Sequence, residues 1–212
     1  MNIHPTALIT GITGFVGSRL AVYLQSKGWR VYGFVRKTSA VPKLIRHSRK
    51  ITLCPFEENL ESLCQLMKQT APSVVFHLAS LFIARHKPDE AALLVESNLR
   101  FGTLLLEAMK QSQCRLFVNT GTAWQHFDGD RYHPVSLYAA TKQAFDDIVL
   151  FYVEGCGFKS VTLKLFETYG PGDSRPKVLN NLLQACLKES ELPLSPGKQT
   201  MDLVHISDVC RA

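Results

Sequence analysis

Tyr138 and Lys142 stand four residues apart in the stretch SLYAATKQAF (136–145), which holds no proline or glycine. At about 3.6 residues per turn, their side chains share one helical face. A phenol beside an ammonium is a proton-transfer pair. The positive charge favours the phenolate, so Lys142 is expected to lower the pKa of Tyr138 and let it exchange a proton near neutral pH. The same spacing also suits an amphipathic helix with a half-buried tyrosine and a solvated lysine, so the pair needs company. VNTGTAW (118–124) supplies it with Thr120 and Thr122 at the end of an apolar run. A hydroxyl holding a substrate oxygen, a phenol passing it a proton and an ammonium tuning the phenol are a set that can converge at the carboxyl edge of a parallel sheet.

ALITGITGFVGSRL (7–20) sets Gly11, Gly14 and Gly17 three residues apart, straight after a strand-like run and before a helical one. Glycines in that place let the chain turn tightly, let a pyrophosphate approach the main chain and aim a helix N-terminus at it. The reading is dinucleotide binding. Sites of this kind hold an adenosine ribose 2′-OH with an acid after the second strand. Here no Asp or Glu precedes Glu57, and the run RVYGFV is followed by Arg36 and Lys37. Two cations there suit a ribose 2′-phosphate, so NADP(H) is expected over NAD(H).

The elements that must position these groups are legible as alternation. Strand-like runs fall at 7–11, 30–35, 50–54, 73–79, 115–121 and 161–166, and helical stretches at 16–27, 57–70, 90–112 and 137–155. Near-continuous apolar strands separated by helices predict an α/β, Rossmann-type doubly wound parallel sheet. With 46% hydrophobic and 20% charged residues, the composition is that of a globular protein. No apolar run approaches the ~20 residues of a membrane span, and MNIHPTALITG lacks the layout of a signal peptide. The six cysteines form no C-x-x-C pair, which argues against a metal site and fits a reducing cytoplasm. Residues 1–56 carry nine Lys/Arg and no acid, while the remainder has 15 basic and 18 acidic residues. The basic segment 36–50 has no interleaved aromatics for stacking on nucleic acid, so a phosphorylated small molecule is preferred as the ligand.

With TGITGFVG (10–17), VVFHLAS (74–80), SNLRFGTLLLEA (97–108), NTGTAW (119–124), YAATK (138–142), LKLFETYGPGD (163–173) and MDLVHISDVCRA (201–212) in this order, the sequence resembles the extended short-chain dehydrogenase/reductases of the NAD-dependent epimerase/dehydratase family. NTGTAWQ, PVSLYAATKQAFDDI and LSPGKQTMDLVHISDV are most similar to its CDP-abequose synthase-like branch, the NDP-4-keto-6-deoxyhexose 4-reductases. The resemblance implies that Tyr138 is the proton donor, Lys142 its electrostatic partner and a ribose ligand, and Thr122 the anchor of the substrate oxygen. It implies a cofactor site of Gly11, Thr13, Gly14, Phe15, Val16 and Gly17, Arg36 and Lys37, with Leu78, Ala79 and Ser80 lining it and Asn98 bracing it. Substrate contacts are expected at Thr122, Thr168, Arg175, Lys177 and His205, and no metal.

Departures sharpen the expectation. Dehydratases of the family carry Asp-Glu after the threonine; Ala123 and Trp124 stand there, which rules dehydration out. Glu167 replaces a frequent Asn, and CPF (54–56) replaces an acid often seen near the adenine. The expected organisation is a dinucleotide-binding domain over 1–170 and the start of a sugar-nucleotide-binding region over 171–212, most of which lies beyond Ala212. The function so read is NADPH-dependent reduction of a nucleotide-linked 4-ketosugar by a cytoplasmic homodimer, in nucleotide-sugar metabolism of the lipopolysaccharide O-antigen type. An NAD-dependent NDP-sugar 4-epimerase and a noncatalytic NADP-binding sensor or assembly protein are the alternatives.

Overall fold

The computed structural model describes residues 4–46, 48–127, 129, 131–198 and 200–212. His47, inside the basic segment, and Gln199, inside the last motif, lie outside them. The chain divides into two compact units, Met1–Leu165 and Phe166–Ala212.

In the first unit, β1 (Thr6–Thr10), β2 (Arg30–Val35), β3 (Ile51–Pro55), β4 (Val74–His77), β5 (Leu116–Thr122) and β6 (Lys159–Leu165) make one sheet, in the order β3-β2-β1-β4-β5-β6. Every pairing is parallel. This is the Rossmann-type doubly wound sheet that the alternation predicts, and the strand order reverses between β1 and β4, where such folds open a ligand crevice. The reason is visible in β1: Ala7, Leu8 and Ile9 are all fully buried, as a strand covered on both faces requires.

The connecting helices are α1 (Phe15–Ser26), the short α2 (Lys43–Arg46), α3 (Leu60–Thr70), α4 (Ala91–Val95), α5 (Phe101–Lys110) and α6 (Leu137–Cys156). α1 packs with α2; α3 packs with α5, and α6 with both α4 and α5. Local chemistry sets their ends. Asn59 caps α3 by accepting a hydrogen bond from the Ser62 N–H at 2.8 Å, which starts that helix at Leu60 rather than at 57. Ser136 caps α6 in the same way through Ala139, and Gly157, at φ 69°, ends it. α2 was not anticipated from the sequence, being a single turn.

The continuous helix expected over 90–112 is instead a 3₁₀ turn (Pro88–Glu90), α4, a π turn (Glu96–Arg100) and α5. A π turn accommodates one extra residue without breaking the helix, and Asn98 sits in it, buried. Apolar spacing alone does not register such an insertion. Leu8, Val75, Leu105, Met109, Phe117 and Phe145 build the centre of the core between sheet and helices.

The second unit is small. β7 (Glu167–Tyr169) pairs in parallel with β8 (Leu203–His205), and α7 (Val178–Lys188) and α8 (Ile206–Arg211) accompany them. Among the described residues no helix is long and apolar enough to cross a membrane, and no cluster of three or more His, Cys, Asp or Glu could hold a metal ion.

Candidate active site

The glycine turn is fixed by close approach. Gly11 has φ 69°, and a Cβ there would lie 2.6 Å from the Ala79 nitrogen and 2.7 Å from the Leu78 carbonyl. A Cβ on Gly17 would come within 2.2 Å of the Gly11 oxygen. Only glycine fits either position, and the result is a loop pressed against the Leu78–Ala79 main chain. Gly14 is exposed and is the residue from which α1 departs, with no acid in the helix's first turn. An anion meeting that helix end finds N–H groups and no competing carboxylate. The residues therefore fit a dinucleotide pyrophosphate.

Thr122 ends β5 and caps a 3₁₀ turn (Ala123–Gln125). Its Oγ1 accepts from the Trp124 N–H at 3.3 Å, and its own N–H donates to Gln125 Oε1 at 2.8 Å. Tyr138 lies in the first turn of α6, with Phe82 edge-on to its ring at 5.0 Å between centroids and Phe82 in turn 5.5 Å from Trp124. Lys142, one turn on, is buried.

Protonation departs from the sequence expectation. Burial holds the Tyr138 phenol above its ordinary value, and the Ser80 hydroxyl hydrogen-bonded to it pulls in the opposite direction. Lys142 is itself pushed down to about 8 by burial, with the Asp146 carboxylate working against that shift. The expected lowering of the Tyr138 pKa is thus corrected in direction, because burial outweighs the neighbouring groups, and the carboxylate that acts on Lys142 is Asp146. His77, enclosed by Phe101, Phe117 and Phe145, is pushed down to about 3, by burial first and by Lys142 second, and is neutral at physiological pH. Its Nδ1 meets Thr10 Oγ1 at 2.9 Å.

Asn98 braces this edge. Its Oδ1 accepts from the Leu81 N–H at 2.7 Å and from Ser80 Oγ at 3.1 Å. Its Nδ2 donates to the Leu81 carbonyl and to Thr141 Oγ1, each at 3.0 Å. Thr141 passes the tie on by donating to the Tyr138 carbonyl at 2.7 Å.

The expected phosphate-binding cations divide. Arg36, exposed at the end of β2, has no ion-pair partner among the described residues. Lys37 is paired with Glu57 at 3.2 Å, so the acid missing from CPF arrives two residues past β3. In the second unit Arg175 grips Asp173 with two donors, at 2.7 and 2.6 Å, and donates to the Thr168 carbonyl and hydroxyl. Lys177 pairs with Glu167 at 2.6 Å, and His205 Nδ1 lies 2.8 Å from Ser207 Oγ. Thr168, Arg175, Lys177 and His205 are therefore all engaged within their own unit.

Over residues 7–212 the sequence matches the NAD dependent epimerase/dehydratase family. The chain belongs to that family. It is an oxidoreductase-type enzyme of the short-chain dehydrogenase/reductase class, dependent on a nicotinamide dinucleotide. A CDP-abequose synthase of Yersinia pseudotuberculosis is 28% identical over 209 residues, which cover 97% of this chain and 70% of that protein. The UDP-glucuronate 4-epimerase of Thermodesulfobacterium geofontis is 27% identical over 223 residues, covering 96% and 69%. Among solved structures, the Thermus thermophilus UDP-glucose 4-epimerase in complex with NAD superimposes with a TM-score of 0.85 at 25% identity, over 97% of this chain and 72% of that one. All three are named for nucleotide-linked sugars.

Within this family member, three residues around the site escaped the sequence reading. Phe82 lies two residues past the Leu78–Ser80 segment and stands against Tyr138 although 57% exposed. Gln125, fully buried, and Asp146, one turn beyond Lys142, join strand to helix. Asp146 was open to discovery, since its spacing from Lys142 is that of a helical ion pair. Gln125 closes the NTGTAWQ stretch, but nothing in the sequence gives the contacts it makes.

Proposed function

We propose that the protein reduces the 4-keto group of a nucleotide-diphospho-deoxysugar with NADPH. The observation that carries the reading is the setting of Tyr138: a phenol kept protonated by burial, above a buried cation, with Thr122 on the neighbouring strand end. When bound, the reduced nicotinamide supplies the hydride. Tyr138 gives its proton to the substrate oxygen, so that the ketone gains one hydride and one proton and becomes an alcohol. Thr122 Oγ1 accepts from Trp124, which leaves its own O–H to donate to that oxygen. Lys142 stabilises the phenolate left behind. Gly11, Thr13, Gly14, Phe15, Val16 and Gly17 hold the pyrophosphate, Leu78, Ala79 and Ser80 flank the nicotinamide half, and Asn98 acts through Ser80 and Leu81. Arg36, without an ion-pair partner among the described residues, takes the 2′-phosphate and sets the preference for NADPH. Two copies pair through α4, α5 and α6.

The test is NADPH oxidation at 340 nm with dTDP- and CDP-4-keto-6-deoxyglucose. Turnover is expected with NADPH in preference to NADH, and Tyr138→Phe should lower kcat by about 100-fold or more while NADPH still binds. The second reading is a 4-epimerase with tightly held NAD, favoured by the Lys37–Glu57 pair, which takes one cation from the cofactor edge. Interconversion of a UDP-hexose or UDP-hexuronate at C4 without net NADPH consumption would establish that reading in place of the first.

A further inference from the structure

Gln125 is fully buried, yet all of its amide is spoken for. Its Oε1 accepts from the Thr122 N–H at 2.8 Å, and its Nε2 donates to Asp146 Oδ2 at 2.9 Å and to Gln143 Oε1 at 3.0 Å. The other Asp146 oxygen accepts from Asn119 Nδ2 at 2.9 Å and Thr162 Oγ1 at 3.0 Å, two residues that face each other across β5 and β6. Space has been cleared for this: a Cβ on Gly121 would lie 2.6 Å from Gln125 Oε1. One carboxylate thus bolts α6 to two strands and, through Gln125, to the main chain of Thr122. It also stands one helical turn from Lys142 and favours that residue's charged form.

We propose that Gln125 and Asp146 are positioning residues, whose hydrogen bonds tie the Thr122 main chain to α6 one helical turn from Lys142. The proposal rests on the reading of Thr122 and Lys142 as site residues. The titratable groups nearest Lys142 are Tyr138 and Asp146, one turn away on either side in its own helix, and His77 from β4; His77 stays neutral through the physiological range. Burial is the larger influence on Lys142, and Asp146 is the charge that opposes it. A hydroxyl that must meet a substrate oxygen and a phenol that must protonate it lose rate steeply when displaced by about 1 Å. The frame fixes the Thr122 main chain to the helix that carries Tyr138 and Lys142.

The test uses two variants and needs no turnover. Lys142 is titrated by ¹³Cε NMR in lysine-labelled protein, with Lys142→Arg for assignment, and exchange of the Thr122 amide proton is followed beside it. Asp146→Asn removes the countercharge, so the Lys142 pKa should fall by about one unit. Gln125→Met takes one donor from Asp146, leaves its charge less neutralised, and should move Lys142 upward. Thr122 amide exchange should quicken at least about tenfold in Gln125→Met. Opposite shifts from two neighbouring variants are what a frame produces and what loss of packing does not. Unmoved Lys142 titration and unmoved Thr122 exchange overturn the proposal. Should Asp146→Asn fail to fold, Gln125→Met decides alone, and unchanged Thr122 exchange in it is the refuting result. With an active ketosugar, Gln125→Met should lower kcat by about 100-fold with KM for NADPH within about twofold. The NMR shifts in a protein that reduces no 4-ketosugar would uphold the frame and refute the reductase reading instead.

Discussion

At the scale of the residue, burial outweighs pairing in this site. Tyr138, Lys142 and His77 are all displaced first by desolvation, and neighbouring charges act second. His77 offers a check through stability. Its pKa is near 6.5 in the unfolded chain and about 3 in the folded one. Between those values the unfolded state binds the extra proton, so stability is full above about pH 6.5 and is lost as pH falls, by about 1.4 kcal/mol per unit. Urea unfolding at pH 7.5, 6 and 5 should show that slope, superimposed on the carboxylates' own titration at the lower end. His77→Phe, which keeps a ring among Phe101, Phe117 and Phe145, should flatten it. An equal slope in wild type and variant would mean that His77 is not the group being protonated.

Among elements, the π turn is the feature that joins the Ser80–Leu81 segment to α6. Asn98 reaches both the Ser80–Leu81 segment and Thr141 on α6 because the extra residue of the turn is there. Asn98→Leu would leave the Leu81 N–H and C=O without that partner at a partly buried position. Each such loss costs on the order of 1–3 kcal/mol, so unfolding free energy should drop by about 3 kcal/mol. Because the same bonds hold the segment that flanks Tyr138, NADPH affinity should fall as well, read by fluorescence titration at a temperature where the variant is folded. A variant as stable as wild type would show the Asn98 bonds to be readily replaced by water.

For the whole molecule, α4 and α6 each carry exposed apolar residues that a second copy is expected to cover. Leu93 and Val95 on α4, and Leu150 and Phe151 on α6, are each exposed by 45–61%, more than a lone domain needs to show on two packed helices. Pairing equivalent helices across a two-fold axis covers them in both copies at once. Light scattering at tens of micromolar should give a dimer mass, and Leu150→Glu with Phe151→Glu should give a monomer mass. A monomer in the wild type would remove the helix pair from the proposed assembly.

Local chemistry made much of this protein legible. The six sheet strands, the glycine turn and the Tyr138–Lys142 face follow from apolar periodicity, from positions that only glycine can occupy and from four-residue helical spacing, all of which act between near neighbours. The π turn was not legible, since one inserted residue leaves the apolar stripe nearly unchanged. Nor were the engagements of the site residues. Lys37 meets Glu57 from twenty positions away, Thr122 and Asp146 are joined only through Gln125, and Arg175 is held by Asp173 and Thr168. The direction of the Tyr138 shift also belonged to the tertiary structure alone. An ammonium four residues away predicts a lowered pKa, but the free energy of a buried phenolate is set by how much water the surrounding fold removes, and that quantity exists only once the helix has been packed against the sheet.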